Sequence, residues 1–396
     1  MHRGRERNLG FKRMHIGLIA QGGAGWAGGS EYVRNLARAI RATGEAARIT
    51  LFCGEPQRAE WEKHELLFDS MAFVPVRKKR GWIERFRGSN RDFVRAVARS
   101  GVEFLYPFTY DNEYNIGVSL PLGDLPCRWA AWIPDFQHRH LPKLFTEKEI
   151  GKRNRGIAAV VGEAKKVVLS SESAAVDFRS FYRAHAAKAD VLRFATFPGA
   201  NWYEPFEAEN LRWLPPRFFV VCNQFWSHKN HATAFKALEI LAARGIRPMI
   251  VCTGALVDFR QPEHTERLLQ QMHRAGVGAQ VMLLGLVARR LQIEIIRRSI
   301  AVVQPSLFEG WSTVVEDARV LGKPTLLSDL AVHKEQNPPG ASFFPGNDAD
   351  ALATLLATAW ENLPPGPNLQ TEANARETAN SRIAEVGRDF LRIAKP

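Results

Sequence analysis

The stretch that decides the fold is residues 303–329, "VQPSLFEGWSTVVEDARVLGKPTLLSD". An apolar strand ends in Pro-Ser, a Gly-Trp-Ser-Thr turn leads into a helix, and Gly-Lys-Pro returns the chain to a second apolar strand. That is a strand–helix–strand unit of a parallel sheet. Two glutamates, Glu309 and Glu316, sit seven residues apart around the turn. Thr313-x-x-Glu316 reads as a capping box, which would account for Glu316 alone. Glu309 precedes the helix, just past a strand's carboxyl end, where ligands of such sheets bind. The first amides of the helix, Trp311 to Val314, have no helical partner and are aimed where a phosphate could sit.

Working outward, the same alternation fills the chain. "RFFVVCN" (217–223), "RPMIVCTG" (247–254), "QVMLLGLV" (280–287) and "IAVVQPS" (300–306) read as strands, separated by amphipathic helices. Pro215-Pro216 marks where this series begins. An earlier series contains "MHIGLIA" (14–20), "ARITLFCG" (47–54), "VEFLYPF" (102–108), "RWAAWIPD" (128–135) and "KKVVLSS" (165–171). Its first helix is predicted over 30–44, with Ser30 as N-cap. The fold class is therefore α/β, with two doubly wound Rossmann-like domains facing each other across a cleft. The expected boundaries are a basic tail at 1–13, an N-terminal acceptor-binding domain at 14–200, a hinge at 201–216 and a donor-binding domain at 217–375. A last helix, 376–396, is expected to return toward the N-terminal domain.

Composition is that of a globular chain: 396 residues, 45% hydrophobic, with no apolar run near the ~20 residues that span a bilayer. "IGLIA" is too short for a signal-peptide core of roughly 7–15 residues. Four cysteines (Cys53, Cys127, Cys222, Cys252) lie far apart without metal spacing, which points to a reducing, cytoplasmic compartment. The net charge of +13 is lopsided: residues 1–200 carry 33 Lys/Arg against 21 Asp/Glu, and residues 201–396 carry 21 against 20. A dense patch, "RKKRGWIERFR" (77–87), suits peripheral contact with an anionic membrane; a solvated basic loop accounts for it equally. No nucleic-acid fold signature accompanies the charge, so no nucleic-acid partner is expected.

"PSLFEGWSTVVEDARVLGKPTLLSD" resembles the signature of retaining glycosyltransferases of family 4, which have the GT-B fold. "VCNQFWSHKNHATAFKAL", "LLGLV" and "WIPDFQHRHLPKLF" are similar to other segments of that family in the same order. The resemblance implies a nucleoside diphosphate sugar as donor and co-substrate, a hydroxyl of a glycan or lipid-linked molecule as acceptor, and no metal cofactor. Glu316 would bind the ribose and Glu309 would face the donor sugar. The amides of Gly310, Trp311, Ser312, Thr313 and Val314 would meet the sugar hydroxyls and distal phosphate. Lys229 would neutralise the departing diphosphate, and the backbone of Leu284 to Val287, Gly285 and Val287 included, would hold the base edge.

Three departures from the family pattern stand out. The glutamates are seven apart where eight is usual. Asn223 and Gln224 occupy the positions five and six residues before the lysine where many members carry arginine. Pro134-Asp135 replaces His-Asp after an N-domain strand, leaving Asp135 and His138 as sugar or acceptor contacts. In "QGGAGWAGGSEYVRNL" (21–36), Gly23-x-Gly25-x-x-Gly28 matches a dinucleotide fingerprint only formally, since strand and helix are not directly joined. The resemblance instead makes Gly28 and Gly29 a close-approach point for donor phosphate or acceptor. Alternatives are a sugar-nucleotide epimerase of the same architecture, a nicotinamide dehydrogenase resting on the glycine match, and an inactive nucleotide-sugar binder.

Overall fold

A computed structural model describes residues 13–22, 27–76, 89–118, 120–122, 125–204, 206 and 211–396. The basic residues before Arg13, the glycines Gly23 and Gly25, and the 77–87 patch lie outside the described residues.

The strands form two sheets. The first contains β1 (Met14–Ile19), β2 (Ala47–Gly54), β3 (Ser70–Val74), β4 (Phe104–Phe108), β5 (Arg128–Ile133), β6 (Lys166–Leu169) and β7 (Ala189–Val191). Its order is β3-β2-β1-β4-β5-β6-β7, and the pairs from β3 to β5 are parallel. The second contains β8 (Phe219–Cys222), β9 (Ile250–Thr253), β10 (Val281–Leu283), β11 (Val302–Gln304), β12 (Thr325–Ser328) and β13 (Ala341–Phe344). Its order is β10-β9-β8-β11-β12-β13, with every pair parallel. Both sheets reverse direction of winding next to their first strand, which is the doubly wound Rossmann order.

Parallel strands covered on both faces read as continuous apolar runs. Phe219, Val221 and Cys252 are accordingly buried with Ala234 and Leu238 of the helix His231–Ala243 and Leu352 and Leu356 of the helix Ala349–Asn362. By contacts, the described residues up to Trp132, with Gly156–Val167 and Gly387–Pro396, make one compact unit; Ile133–Arg155 and Val168–Val386 make the other. The last helix, Leu369–Ala394, contributes to both. Its end belongs to the first unit, where Phe390 meets the rings of Phe104 and Tyr106.

The helix after β1 departs from expectation. It spans Ala27–Ala42, so Gly28 and Gly29 lie in its first turn and Ser30 is inside it rather than at its cap. The Ser30 hydroxyl donates instead to the carbonyl of Gln21, at 3.0 Å. Strands β3 and β7 escape the sequence reading because neither alternates: nearly all their residues are half-buried. No described helix is long and apolar enough to cross a membrane.

Candidate active site at the switch point of the second sheet

Winding reverses between β8 and β11, and the loops leaving the carboxyl ends of those two strands diverge there. Asn223 and Gln304, the residues at those ends, tie the loops together: Asn223 Nδ2 donates to Gln304 Oε1 at 2.9 Å and Gln304 Nε2 to Asn223 Oδ1 at 3.2 Å. Gly254 at the end of β9 has φ +126°, and a Cβ there would lie 2.1 Å from the Asn223 carbonyl oxygen, so only glycine fits.

Beyond this floor, Ser227–Lys229 form a tight turn. Asp258 accepts from the Ser227 N–H at 2.8 Å. Asn230, left-handed at φ 57°, donates to the carbonyls of Pro305 and Gly346 at 3.1 and 2.8 Å. Lys229 is thereby fixed to the loop that carries Glu309. Its Nζ donates to Glu309 Oε1 at 2.6 Å, with the side chains 15% and 8% exposed. Ser306 Oγ and Gln304 Nε2 donate to the same oxygen at 2.7 and 2.9 Å, leaving Glu309 Oε2 without a partner among the described residues. Burial pushes the Glu309 carboxyl up, but the Lys229 ammonium and the neighbouring His333 and His228 together outweigh it and the net shift is downward. The neighbouring imidazole of His228 is pushed down to about 3 by burial and by Lys229, so it is neutral.

Neither glutamate caps the following helix, Thr313–Val320. The cap is Ser312, whose Oγ accepts from the Val315 N–H at 3.4 Å. Glu316 is fully buried, accepts from Gln336 Nε2 at 3.1 Å, and faces Arg319 and Arg382 at 3.3 Å each. Burial raises its carboxyl despite the two arginines. Asp317, one position on, stands eight residues after Glu309, the spacing the family resemblance leads one to expect. Its Oδ1 and Oδ2 are gripped by Arg289 at 2.6 and 2.8 Å, and Thr196 Oγ1 donates to Oδ1 at 3.0 Å. Consecutive helical residues point about 100° apart. Asp317 therefore turns to the loop that follows β10, and Glu316 to Gln336. Asp317 went unread in the sequence; the spacing counted from Glu309 was the signal for it.

The remaining expected residues fall in several places. The Ser312 N–H is taken by Gln336 Oε1 at 3.2 Å, while those of Thr313 and Val314 make no hydrogen bond among the described residues. A Cβ on Gly310 would come 2.4 Å from the Pro134 carbonyl oxygen and 3.0 Å from Asp135 Cβ, which brings Asp135 beside the glutamate loop. Trp311 is buried, its indole N–H donating to the Phe194 carbonyl at 3.0 Å. Gly285 is left-handed (φ 66°) and accepts from the Gly254 N–H at 2.8 Å; Val287 and Gln224 are half-buried nearby in sequence to it and to Asn223. His138 is not drawn to the lysine–glutamate pair. It is buried against Asn154, 3.1 Å from Nε2, and burial lowers its pKa. Arg260, also unread, lies near enough to His228 to hold that imidazole's pKa down, and its Nε has no partner.

The first sheet reverses between β1 and β4. Gln21, just past β1, donates to the Pro107 carbonyl and to Asn112 Oδ1 at 3.2 and 3.3 Å and accepts from Asn115 Nδ2 at 2.9 Å. Asn112 Nδ2 and Asn115 Oδ1 are buried and have no hydrogen-bond partner among the described residues.

With this geometry in place, comparison with known proteins is decisive for the second sheet. Residues 205–379 match the family model described as glycosyl transferases group 1. The match spans the whole of the second sheet. The whole chain has the GT-B fold: over 96% of its length it superposes on Anabaena HepE in complex with UDP and glucose (99% of that chain, TM-score 0.68, 17% identity). Similar matches are sucrose-phosphate synthase from Thermosynechococcus elongatus (96% and 98% covered, TM-score 0.68, 15% identity) and WaaG, a glycosyltransferase involved in lipopolysaccharide biosynthesis (96% and 100%, TM-score 0.60, 13% identity). No curated protein matches in sequence. The matched region contains the Lys229–Glu309 pair, Asp317 and the Thr313 and Val314 amides. Among the described residues no group of three His, Cys, Asp or Glu is placed to hold a metal ion.

Proposed function

We propose that the protein is a retaining glycosyltransferase that moves a hexosyl group from a nucleoside diphosphate sugar to a hydroxyl of a glycan or lipid-linked acceptor, in cell-surface polysaccharide or glycolipid assembly. The observation that carries this reading is the buried Lys229–Glu309 pair at the switch point of a group 1 domain. The UDP and UDP-glucose complexes of HepE favour a UDP-sugar over a GDP-sugar.

In this reading Lys229 swings its ammonium to the diphosphate as negative charge develops on the leaving group, stabilisation that counts most in a dry site. Glu309 keeps one oxygen on Gln304 and Ser306 and offers the other to a sugar hydroxyl. The Thr313 and Val314 amides take phosphate or sugar oxygens. Asp317, released from Arg289, accepts from the ribose hydroxyls in place of Glu316, whose oxygens are committed to Gln336, Arg319 and Arg382. The backbone from Gly285 to Val287 holds the base. Arg260 supplies the cation that Asn223 and Gln224 do not. Asp135 faces the donor sugar, and His138 holds the turn that carries it; in the first unit the Gln21–Asn112–Asn115 cluster and the Gly28-Gly29 turn meet the acceptor or donor phosphate. The departing phosphate takes the acceptor's proton on the same face, so no protein nucleophile is assigned. The basic stretch 77–87 meets anionic lipid around the acceptor.

The test is a thermal-shift series with UDP, GDP, ADP and dTDP on the native chain, Asp317→Ala and Glu316→Ala. Binding to the folded state alone raises the melting temperature by mass action. UDP stabilisation kept in Glu316→Ala and lost in Asp317→Ala is the expected result. The reverse pattern would return the ribose to Glu316, and no shift with any nucleotide would end the donor reading.

A further inference from the structure

A cavity of about 460 Å³ lies within the second unit, away from the lysine–glutamate pair. Its walls come from the helix Thr313–Val320, the first turns of the last helix (Thr371 to Arg382) and the Pro339-Gly340 turn. Gly322 and Pro324 precede β12 and Gly340 precedes β13, so this is the amino edge of the sheet, opposite the carboxyl edge that bears Lys229 and Glu309. The wall is mainly apolar: Ala195, Val320, Pro324, Pro339, Ala375 and Ala379.

One end is charged. Arg319 and Arg382 stand there around a single carboxylate, Glu316, at 3.3 Å each. Two guanidinium groups against one carboxylate leave a net positive charge. Spare donors are on Arg382, which is a third exposed and among the described residues has only its one 3.3 Å contact with Glu316; Arg319 adds charge while donating to the Gln336 carbonyl. A guanidinium carries five N–H donors in a planar fork that fits a carboxylate. The cavity's size is within the range of small-molecule sites, roughly 300–1,000 Å³, which are likewise mostly apolar with a few convergent polar groups.

We propose that this cavity binds a small amphiphile with one anionic head, of the class of medium-chain carboxylates, with the head on Arg382 and Arg319 and the chain along the Val320–Ala375–Ala379 wall. Neither the identity of the donor nor transfer activity is needed for it. The helix Thr313–Val320 is shared with the donor site, but through a different face, since Glu316 and Asp317 point about 100° apart.

Isothermal titration with octanoate, octanamide and acetate tests it on the full chain. Octanoate should bind, with octanamide and acetate at least about tenfold weaker, the first lacking the charge and the second the chain. Arg382→Gln, at a side chain a third exposed, should weaken octanoate about tenfold. Ala375→Phe, at a half-buried wall position, should abolish binding by filling the space, with melting temperature reporting that both variants fold. Absence of octanoate binding, or octanoate binding unchanged in Ala375→Phe, would overturn the site. Octanamide binding as tightly as octanoate, or indifference to Arg382→Gln, would overturn the anionic head.

Discussion

Replacing Lys229 by methionine keeps the length of the side chain and removes its charge, which isolates what the ammonium does for Glu309. The carboxylate is 8% exposed and retains Gln304 and Ser306 as donors. Breaking a buried ion pair by deleting one partner costs roughly 3–5 kcal/mol. The two remaining donors place the expected loss near the lower end, about 3 kcal/mol at pH 8. The pH dependence carries the sign. In the native chain the Glu309 pKa is depressed, so its stabilisation is present above the unfolded value and is lost as pH falls through the folded one. In Lys229→Met, burial, the largest influence on Glu309, is opposed only by the weaker hydrogen bonds and histidines, so the folded pKa rises above the unfolded one and the folded state holds a proton that the unfolded state has released. The deficit therefore shrinks toward pH 5. Urea unfolding at pH 5, 6.5 and 8 measures it, with Glu309→Gln and the double variant completing a cycle. The double variant should recover most of the loss, since no uncompensated charge is left buried. A deficit that is the same at all three pH values and is not relieved by Glu309→Gln would refute the pairing.

Other outcomes follow from single side chains. His231 is fully buried, stacks on Phe225 at 4.0 Å, has no partner on either ring nitrogen, and is held by burial at a pKa of about 3. Its contribution is present above the unfolded value near 6.5 and is lost as pH falls, so His231→Phe should lose about 2 kcal/mol less than the native chain between pH 7 and 5 in urea unfolding; an unchanged pH response would contradict it. Gly310→Ala places a methyl 2.4 Å from the Pro134 carbonyl oxygen, so the glutamate loop must move. Sugar-transfer turnover should drop about a hundredfold, and a variant at native turnover would show that the loop's position is immaterial. Arg260→Gln should weaken UDP about tenfold while leaving uridine unaffected, compared by titration; equal losses for both would place Arg260 away from the diphosphate.

Much of this architecture is legible in the sequence because parallel strands buried on both faces leave unmistakable apolar runs. "RFFVVCN", "RPMIVCTG" and "IAVVQPS" contain strands β8, β9 and β11 to within three residues at either end. Lys229 and Glu309 were each singled out in the sequence, since each follows a strand whose carboxyl end lies at the reversal of the sheet, but their ion pair was not. Two kinds of feature were not. Edge elements such as β7 are half-buried and carry no period. Helix starts were misplaced where capping chemistry is ambiguous: glycines occupy the first turn at Gly28-Gly29, and Ser312 rather than Thr313 is the cap.

The second error has a consequence for the site. Glu316 and Asp317 are both acidic, both fully buried, and adjacent in the chain, so composition does not separate them. Helical rotation does. One residue's difference in phase sends Asp317 to Arg289 and the loop after β10, and Glu316 to Gln336, Arg319 and Arg382 beside the cavity. Each buried carboxylate is compensated by its own arginines, as burial of charge requires. Asp317's arginine opens the helix after β10, where in the proposed function a nucleotide takes over its role. Glu316's arginines line a cavity with no nucleotide-binding loop around it. The helix thus serves two faces with two acids, and if Asp317 holds the ribose as proposed, exchanging the two identities, Glu316→Asp with Asp317→Glu, should weaken UDP in titration, because both carboxylates remain while each side chain changes by one methylene.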